Sequence, residues 1–234
     1  MGSRRAELEA NLGVVRDRIA TACTSAGRDP GEVTLVVVTK FFPASDVRLL
    51  AELGVRDVGE NRHQEAQAKA AACADLGLRW HFIGGLQSNK ADAVASYADV
   101  VESVDRLKLV SGLQRGAHAR AHALDCLLQV SLDEPGSGDQ RAGAAPDELP
   151  ALAQAVTGSS MLTLRGLMAV APLGADPDEA FARLAGIAAD FRADHPAATW
   201  LSAGMSGDLE AAVRSGATHV RIGSAVLGPR PLIK

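Results

Sequence analysis

The chain has 234 residues, with 24 Lys and Arg against 28 Asp and Glu, so its formal net charge is −4. This mildly acidic balance excludes a general nucleic-acid binder, which needs a basic surface, and aromatic residues, the usual stacking platforms, make up only 3% of the chain. Hydrophobic residues make up 47%, which is typical of a globular protein and excludes global disorder.

Cysteine usage and the apolar runs indicate a cytoplasmic protein. Cys23, Cys73 and Cys126 form no CxxC pair, and an odd number cannot be fully paired within one chain, so reduced thiols are expected. Apolar runs such as 35–38 are far shorter than the roughly 20 residues of a membrane-spanning helix. Residues 1–9 carry charges of both signs and do not resemble a secretory signal.

The chain begins with a predicted helix over 4–26, where apolar residues recur at helical spacing. The next segment, 33–39, is rich in β-branched residues and apolar on both faces, which is typical of a strand buried within a parallel sheet. It ends at Lys40. Helices and strands then alternate. The predicted helices cover 44–53, 61–74, 90–97, 106–121, 147–156, 177–193 and 207–215, and the further predicted strands cover 55–58, 79–83, 100–104, 125–132, 164–170, 199–202 and 219–222.

This alternation predicts an α/β fold, a single (β/α)8 TIM barrel over 1–234 with an extra N-terminal helix. Eight strands in about 200 residues meet the minimum length of such a barrel. A doubly wound sheet alternates in the same way, but eight regular units without interruption favour the closed barrel. The segment 133–145, rich in Gly and Pro, is predicted to be a surface loop.

Polar residues cluster where the predicted strands end, which is where the chemistry of a barrel is found. Lys40 follows an apolar strand and precedes two phenylalanines. Apolar surroundings disfavour the charged form of a lysine, so the neutral amine becomes the nucleophile that a Schiff base requires. The alternative is a strand-end lysine that extends its ammonium group to solvent.

Two glycine-containing loops follow the last two predicted strands, at 204–208 and 221–224. Ser206 is a good helix N-cap, and a helix start offers free N–H groups to an anion. The two loops together resemble the phosphate site that barrels often build after strands seven and eight, although turn glycines and ordinary caps are the alternative interpretation. An aldehyde that also carries a phosphate would suit this lysine and these loops, and pyridoxal 5′-phosphate (PLP) fits that description.

The sequence also resembles the YggS/PROSC family of pyridoxal phosphate homeostasis proteins and, more distantly, the N-terminal barrel of alanine racemase. The resemblance covers nearly the whole chain. The segments that carry it are VVVTK at 36–40, GENR at 59–62, WHFIG at 80–84, LQSNK at 86–90, SVDR at 103–106, RGLM at 165–168, GMS at 204–206 and VRIG at 220–223.

The resemblance implies that PLP is held as a Schiff base on Lys40. The other cofactor-binding residues that we assign are Asn61, His81, Met168, Ser202, Ser206, Arg221, Gly223 and Ser224. In this assignment the two serines of the glycine loops and Gly223 hold the phosphate, and Arg221 faces either the phosphate or the pyridine nitrogen. The role of His81 is open, since a strand histidine could equally belong to a core polar network.

The resemblance further implies a regulator of PLP supply and of amino-acid and keto-acid balance, without catalytic turnover. The implied partners are PLP, other forms of vitamin B6 and PLP-dependent apoenzymes, and we expect a monomer. No metal site is expected, because His118 and His122 lack a further ligand at metal-binding spacing. Arg62, Lys69 and Lys90 are expected on solvated helix faces.

The alternative function is that of a PLP-dependent amino-acid racemase. Racemisation needs an acid/base group on each face of the substrate, and alanine racemases take the second one, a tyrosine, from an added C-terminal domain. Tyr97, the only tyrosine of this chain, falls before the fourth strand, and Lys234 follows the last strand closely. The chain departs from the family pattern at Ala203, where many members have Met, and in the loop 133–145, which lacks a lysine that many relatives carry.

Overall fold

Eight parallel strands close into a barrel in sequence order in the computed structural model, which describes residues 2–133 and 142–229. The barrel closes between the first and last strands, where Val36 pairs with Arg221. The predicted TIM barrel is therefore confirmed. The strands are β1 (Thr34–Val38), β2 (Asp57–Glu60), β3 (Arg79–Phe82), β4 (Val100–Val104), β5 (Leu124–Gln129), β6 (Leu162–Met168), β7 (Trp200–Ser202) and β8 (His219–Ile222).

The helices of the described residues surround the barrel, and the predicted N-terminal helix is present. They are α1 (Gly2–Ser25), α2 (Ala44–Glu52), α3 (His63–Ala72), α4 (Ala91–Ala95), α5 (Leu107–Arg120), α6 (Leu149–Thr157), α7 (Pro177–Asp194), α8 (Leu209–Arg214) and α9 (Ser224–Leu227). The short α9 was not predicted. Strand β2 starts two residues later than its predicted start, because Val55 is buried by packing and not by strand pairing. Most of the predicted loop 133–145, namely 134–141, lies outside the described residues.

The apolar face of α1 anchors this helix to the barrel. Leu8, Leu12 and Val15 are almost fully buried, and burying each such side chain contributes roughly 1.5–3 kcal/mol. The same helix binds the loops at the carboxyl end of the barrel. Asn11 Nδ2 donates to the backbone oxygen of Val226 at 2.9 Å, and Arg18 Nη2 donates to that of Ser206 at 3.1 Å. Helix α1 therefore fixes the loops that follow β7 and β8.

None of the helices in the described segments combines the length and the apolar character that a bilayer crossing requires.

Candidate functional site

A cavity of about 320 Å³ opens among the loops that follow the strands. Its lining comes from strands β1 and β8 and from the segments after β1, β2, β3, β6, β7 and β8. Six of the nine residues assigned from the sequence contribute to the wall: Lys40, Asn61, Ser206, Arg221, Gly223 and Ser224. The cavity therefore offers an amine, a guanidinium group and two serine hydroxyls within one space.

The other three assigned residues, His81, Met168 and Ser202, do not line the cavity. They are buried inside the barrel. Met168 packs in a small apolar cluster. The structure thus separates the assigned set into a cavity wall and a buried group.

His81 belongs to a polar network in the barrel interior, the alternative that its strand position left open. Its Nδ1 lies 2.7 Å from Glu102 Oε1, and its Nε2 lies 3.0 Å from Asp57 Oδ1. Burial alone would lower the pKa of His81, but the two carboxylates outweigh burial and raise it. Burial likewise opposes ionisation of Glu102, yet the hydrogen bond and the charge of His81, with help from Arg221, hold the pKa of Glu102 at about 2.

Arg221 connects this network to the cavity. Its Nη1 donates to Ser202 Oγ at 2.7 Å, and its Nη2 donates to the backbone oxygen of Ala169 at 2.8 Å. Glu102 Oε2 lies 3.8 Å from Nη1. Burial lowers the pKa of Arg221, with the charge of Glu102 acting in the opposite direction, but a guanidinium group remains charged in proteins. The wall of the cavity thus carries a cation held in one orientation.

The backbone beside Lys40 is unusual. Phe41 has a φ of 72°, in the left-handed region, which is rare for a bulky side chain. Its N–H donates to Glu65 Oε1 at 2.6 Å, and the guanidinium group of Arg62 lies 4.9 Å from the centre of its ring. Such conformations cost about 1–3 kcal/mol and persist only where the surrounding contacts determine them.

Lys69 is buried and not on a solvated face, so that expectation was wrong. Its Nζ donates to Glu60 Oε1 and Glu65 Oε1, each at 2.6 Å, and to the backbone oxygen of Thr39 at 2.7 Å. The carboxylates compensate the ammonium charge, which makes this burial possible. Burial raises the pKa of Glu60, and the hydrogen bonds from Lys69 and Thr39 only partly oppose that rise.

The loop after β7 turns sharply at Gly204, which has a φ of 93°. A Cβ atom there would lie 2.7 Å from the Cβ of Ala212, so a larger residue fits neither the conformation nor the space. The N–H of Met205 donates to Asp208 Oδ1 at 2.5 Å. Ser206, two residues after this turn, lines the same cavity as Lys40.

The sequence reasoning missed the roles of the buried carboxylates Glu60 and Glu102, of the partly buried Asp57 and of Lys69. One signal was present for Glu102, because it lies in the middle of the valine-rich strand β4, which has the sequence VVESV. A charged residue in a strand buried on both faces must be paired.

The fold and the cavity define a class of barrel proteins in which a lysine after β1 shares a cavity with serine-bearing loops after β7 and β8. The family model described as "Alanine racemase, N-terminal domain" matches residues 10–231. The chain is 45% identical, over an alignment of 245 positions, to the pyridoxal phosphate homeostasis protein of Mycobacterium bovis. The alignment covers 98% of this chain and 95% of that protein. It is 40% identical over 230 residues to the protein of the same name from Escherichia coli, covering 96% and 97%.

A solved structure is also similar to this chain. The structure of PipY from Synechococcus elongatus with PLP bound matches with a TM-score of 0.79 and 36% identity, covering 94% of this chain and 100% of that chain. This chain belongs to the family of pyridoxal phosphate homeostasis proteins.

Proposed function

We propose that this protein binds PLP, holds it as a Schiff base on Lys40 and contributes to the intracellular balance of PLP and of amino and keto acids. The observation that carries the proposal is the cavity itself, which is lined by Lys40, Arg221, Ser206 and Ser224 together. An amine suits an aldehyde, and a guanidinium group with hydroxyl donors suits a phosphate or a ring nitrogen.

An unpartnered polar atom at the cavity supports the fit. Asn61 Oδ1 is buried and has no hydrogen-bond partner among the described residues, although Asn61 lines the cavity. A buried acceptor without a donor costs about 1–3 kcal/mol. A hydroxyl group of the bound ligand would supply that donor. The bound cofactor supplies the aldehyde and the aromatic ring, while the chain supplies the amine and the fixed polar contacts.

The same residues favour holding the cofactor over carbanion chemistry. With Arg221 at the pyridine nitrogen, one of the two placements that the resemblance allows, the guanidinium group would keep that nitrogen unprotonated and weaken the ring as an electron sink. Racemisation would also need a second acid/base group. Tyr97 does not line the described cavity, and burial raises the pKa of its hydroxyl, which makes it a poor base. We therefore propose a carrier or regulator without turnover.

The wider setting of the proposal follows from the family resemblance. We place the protein in the cytoplasm, as a monomeric single-domain barrel. Its partners would be PLP, other B6 forms and PLP-dependent apoenzymes that receive the cofactor.

The test is to add PLP to the purified protein, record the visible absorbance, reduce with borohydride and map the labelled peptide by mass spectrometry. We expect the adduct on Lys40 and no cavity adduct in a Lys40→Ala variant. Lys108→Ala, at an exposed position of α5, is the matched control and should label like the wild type. An adduct on a different lysine in the wild-type protein would overturn the assignment.

A further inference from the structure

The two peptide groups that flank Lys40 are hydrogen-bonded to one charged cluster, formed by the buried Glu60 and Lys69 and the partly buried Glu65. We call these three residues the backbone clamp. On one side, Lys69 Nζ donates to the carbonyl oxygen of Thr39, at 2.7 Å. On the other side, Glu65 Oε1 accepts the N–H of Phe41, at 2.6 Å. Neither bond involves the Lys40 amine, so both act on its backbone.

The clamp is closed and rigid. A lysine ammonium has three donors, and those of Lys69 meet the Thr39 carbonyl and the two carboxylates at 2.6–2.7 Å. Thr39 Oγ1 donates a further bond to Glu60 Oε1, at 2.6 Å. The exposed fraction of the side chain is 7% for Lys69 and 1% for Glu60. The side chain of Glu65 is 24% exposed. Water therefore competes little for the bonds among Lys69, Glu60 and Thr39, which are stronger than they would be at the surface, and more for the bonds of Glu65.

The clamp also accounts for the left-handed backbone of Phe41. A turn in which Phe42 N–H donates to the carbonyl oxygen of Thr39, at 3.1 Å, follows the strand directly. The bond to Glu65 satisfies the Phe41 N–H at a φ of 72°, and losing that acceptor removes one of the contacts, together with Arg62 over the ring, that hold Phe41 in this conformation. A relaxed Phe41 would rotate the peptide that it shares with Lys40 and so redirect the lysine side chain.

We propose that the backbone clamp is a positioning device that sets the direction in which Lys40 presents its amine to the cavity. The inference rests on the proposed function, because it concerns bond formation between this amine and the aldehyde of PLP. In that step the amine nitrogen bonds to the aldehyde carbon, and its two protons leave with the aldehyde oxygen as one water molecule. Misplacing a reacting atom by about 1 Å can cost about 100-fold in such steps.

The hydrogen bonds of the clamp within the described residues do not involve Arg221, Ser206 or Ser224. Covalent and non-covalent binding should therefore respond differently when it is broken. Pyridoxine 5′-phosphate, which carries an alcohol in place of the aldehyde, measures non-covalent binding alone. PLP measures both, through its absorbance change.

The variant to make first is Glu65→Ala. It removes the acceptor of the Phe41 N–H, yet leaves Lys69 paired with Glu60, so no buried charge loses its only partner. Lys69→Met is the second variant, for the other side of Lys40. Ala70→Gly is the matched control, because it weakens the same helix, α3, at a buried position without removing a clamp bond.

We expect the rate of adduct formation with PLP to fall at least about tenfold in Glu65→Ala, with the affinity for pyridoxine 5′-phosphate within about twofold of wild type. Ala70→Gly should retain both. An equal loss for both ligands, or no loss for either, would overturn the positioning role. If the wild-type protein forms no adduct on Lys40, the proposed function itself fails, whereas a normal wild type with an unaffected Glu65→Ala variant rejects only the clamp.

Discussion

The side chain of Ser202 joins two buried charges: it accepts a hydrogen bond from Arg221 Nη1 at 2.7 Å and donates one to Glu102 Oε2 at 2.5 Å. All three residues are at most 5% exposed. The charged atoms of Arg221 and Glu102 are themselves 3.8 Å apart, so the hydroxyl completes a pair that is not in direct hydrogen-bond contact. The direction of the Arg221 guanidinium group at the cavity depends on this hydroxyl.

Replacing Ser202 by Ala should therefore destabilise the fold more than a lost hydroxyl usually does. Both charged partners lose a hydrogen bond in a place that water does not reach, and leaving such groups unsatisfied costs about 1–3 kcal/mol. Urea denaturation measures the change in the free energy of unfolding. We expect PLP to bind more weakly to this variant as well, because Arg221 is less well oriented.

Ser103→Ala is the control for that measurement. Ser103 is also fully buried, but its Oγ has no hydrogen-bond partner within the described residues. Removing an unpartnered hydroxyl should change the free energy of unfolding by less than about 0.5 kcal/mol, or stabilise the protein. Equal losses for the two variants would show that Ser202 does not bridge the charges.

Two neighbouring histidines should make the free energy of unfolding depend on pH in opposite directions. The rings of His81 and His219 lie 6.2 Å apart. Burial lowers the pKa of His219 to about 4, from an ordinary value near 6.5. Between pH 6.5 and pH 4 the unfolded chain therefore binds a proton that the folded chain does not, so the free energy of unfolding falls as the pH falls, by up to about 1.4 kcal/mol per pH unit. A His219→Gln variant should show a shallower slope in this range, measured by urea denaturation at several pH values.

His81 should affect the free energy of unfolding above pH 6.5. Although burial opposes its charge, Asp57 and Glu102 raise its pKa above 6.5. Its stabilising contribution is then fully present below pH 6.5 and is lost as the pH rises through the raised pKa. His81→Gln should flatten the loss of stability above pH 6.5 and leave the acid slope due to His219 in place. A variant that changes only the acid slope would contradict the charged state of His81.

Much of the fold could be predicted because local patterns determine it. Strands β4 and β8 have the predicted bounds, since both are short runs flanked by turn residues. Six of the assigned residues line the cavity. They were found because strand ends of a parallel barrel meet at one face and because the family resemblance assigned cofactor roles to residues there.

The buried partners could not be predicted in the same way. The helical pattern around Lys69 predicts an exposed position. Lys69 is buried because the fold places Glu60 and Thr39 next to its ammonium group. The contacts of Ser202 also depend on the tertiary fold, because its partners Glu102 and Arg221 are 100 and 19 residues away along the chain. A single sequence does not specify such pairings, so the contacts of Ser202 with Arg221 and Glu102 could not be predicted from it.

Gly84 and Gly85 follow β3, and only Gly84 packs against the backbone of Asn61. A Cβ atom at Gly84 would lie 2.3 Å from the backbone oxygen of Asn61, whereas one at Gly85 would meet nothing within 4 Å. Since Asn61 lines the cavity with an unpartnered Oδ1, Gly84→Ala must displace the residue that would contact the ligand.

We expect Gly84→Ala to lower the free energy of unfolding by about 1–3 kcal/mol, the range found for overpacking, and to weaken PLP binding at least about tenfold. Gly85→Ala should match the wild type in both, because the two positions are adjacent in the same loop and differ in what the added methyl group meets. Denaturation and a PLP absorbance titration of the pair give the answer. Equal behaviour of the two variants would mean that Asn61 yields to the methyl group without cost, and that its position does not determine cofactor affinity.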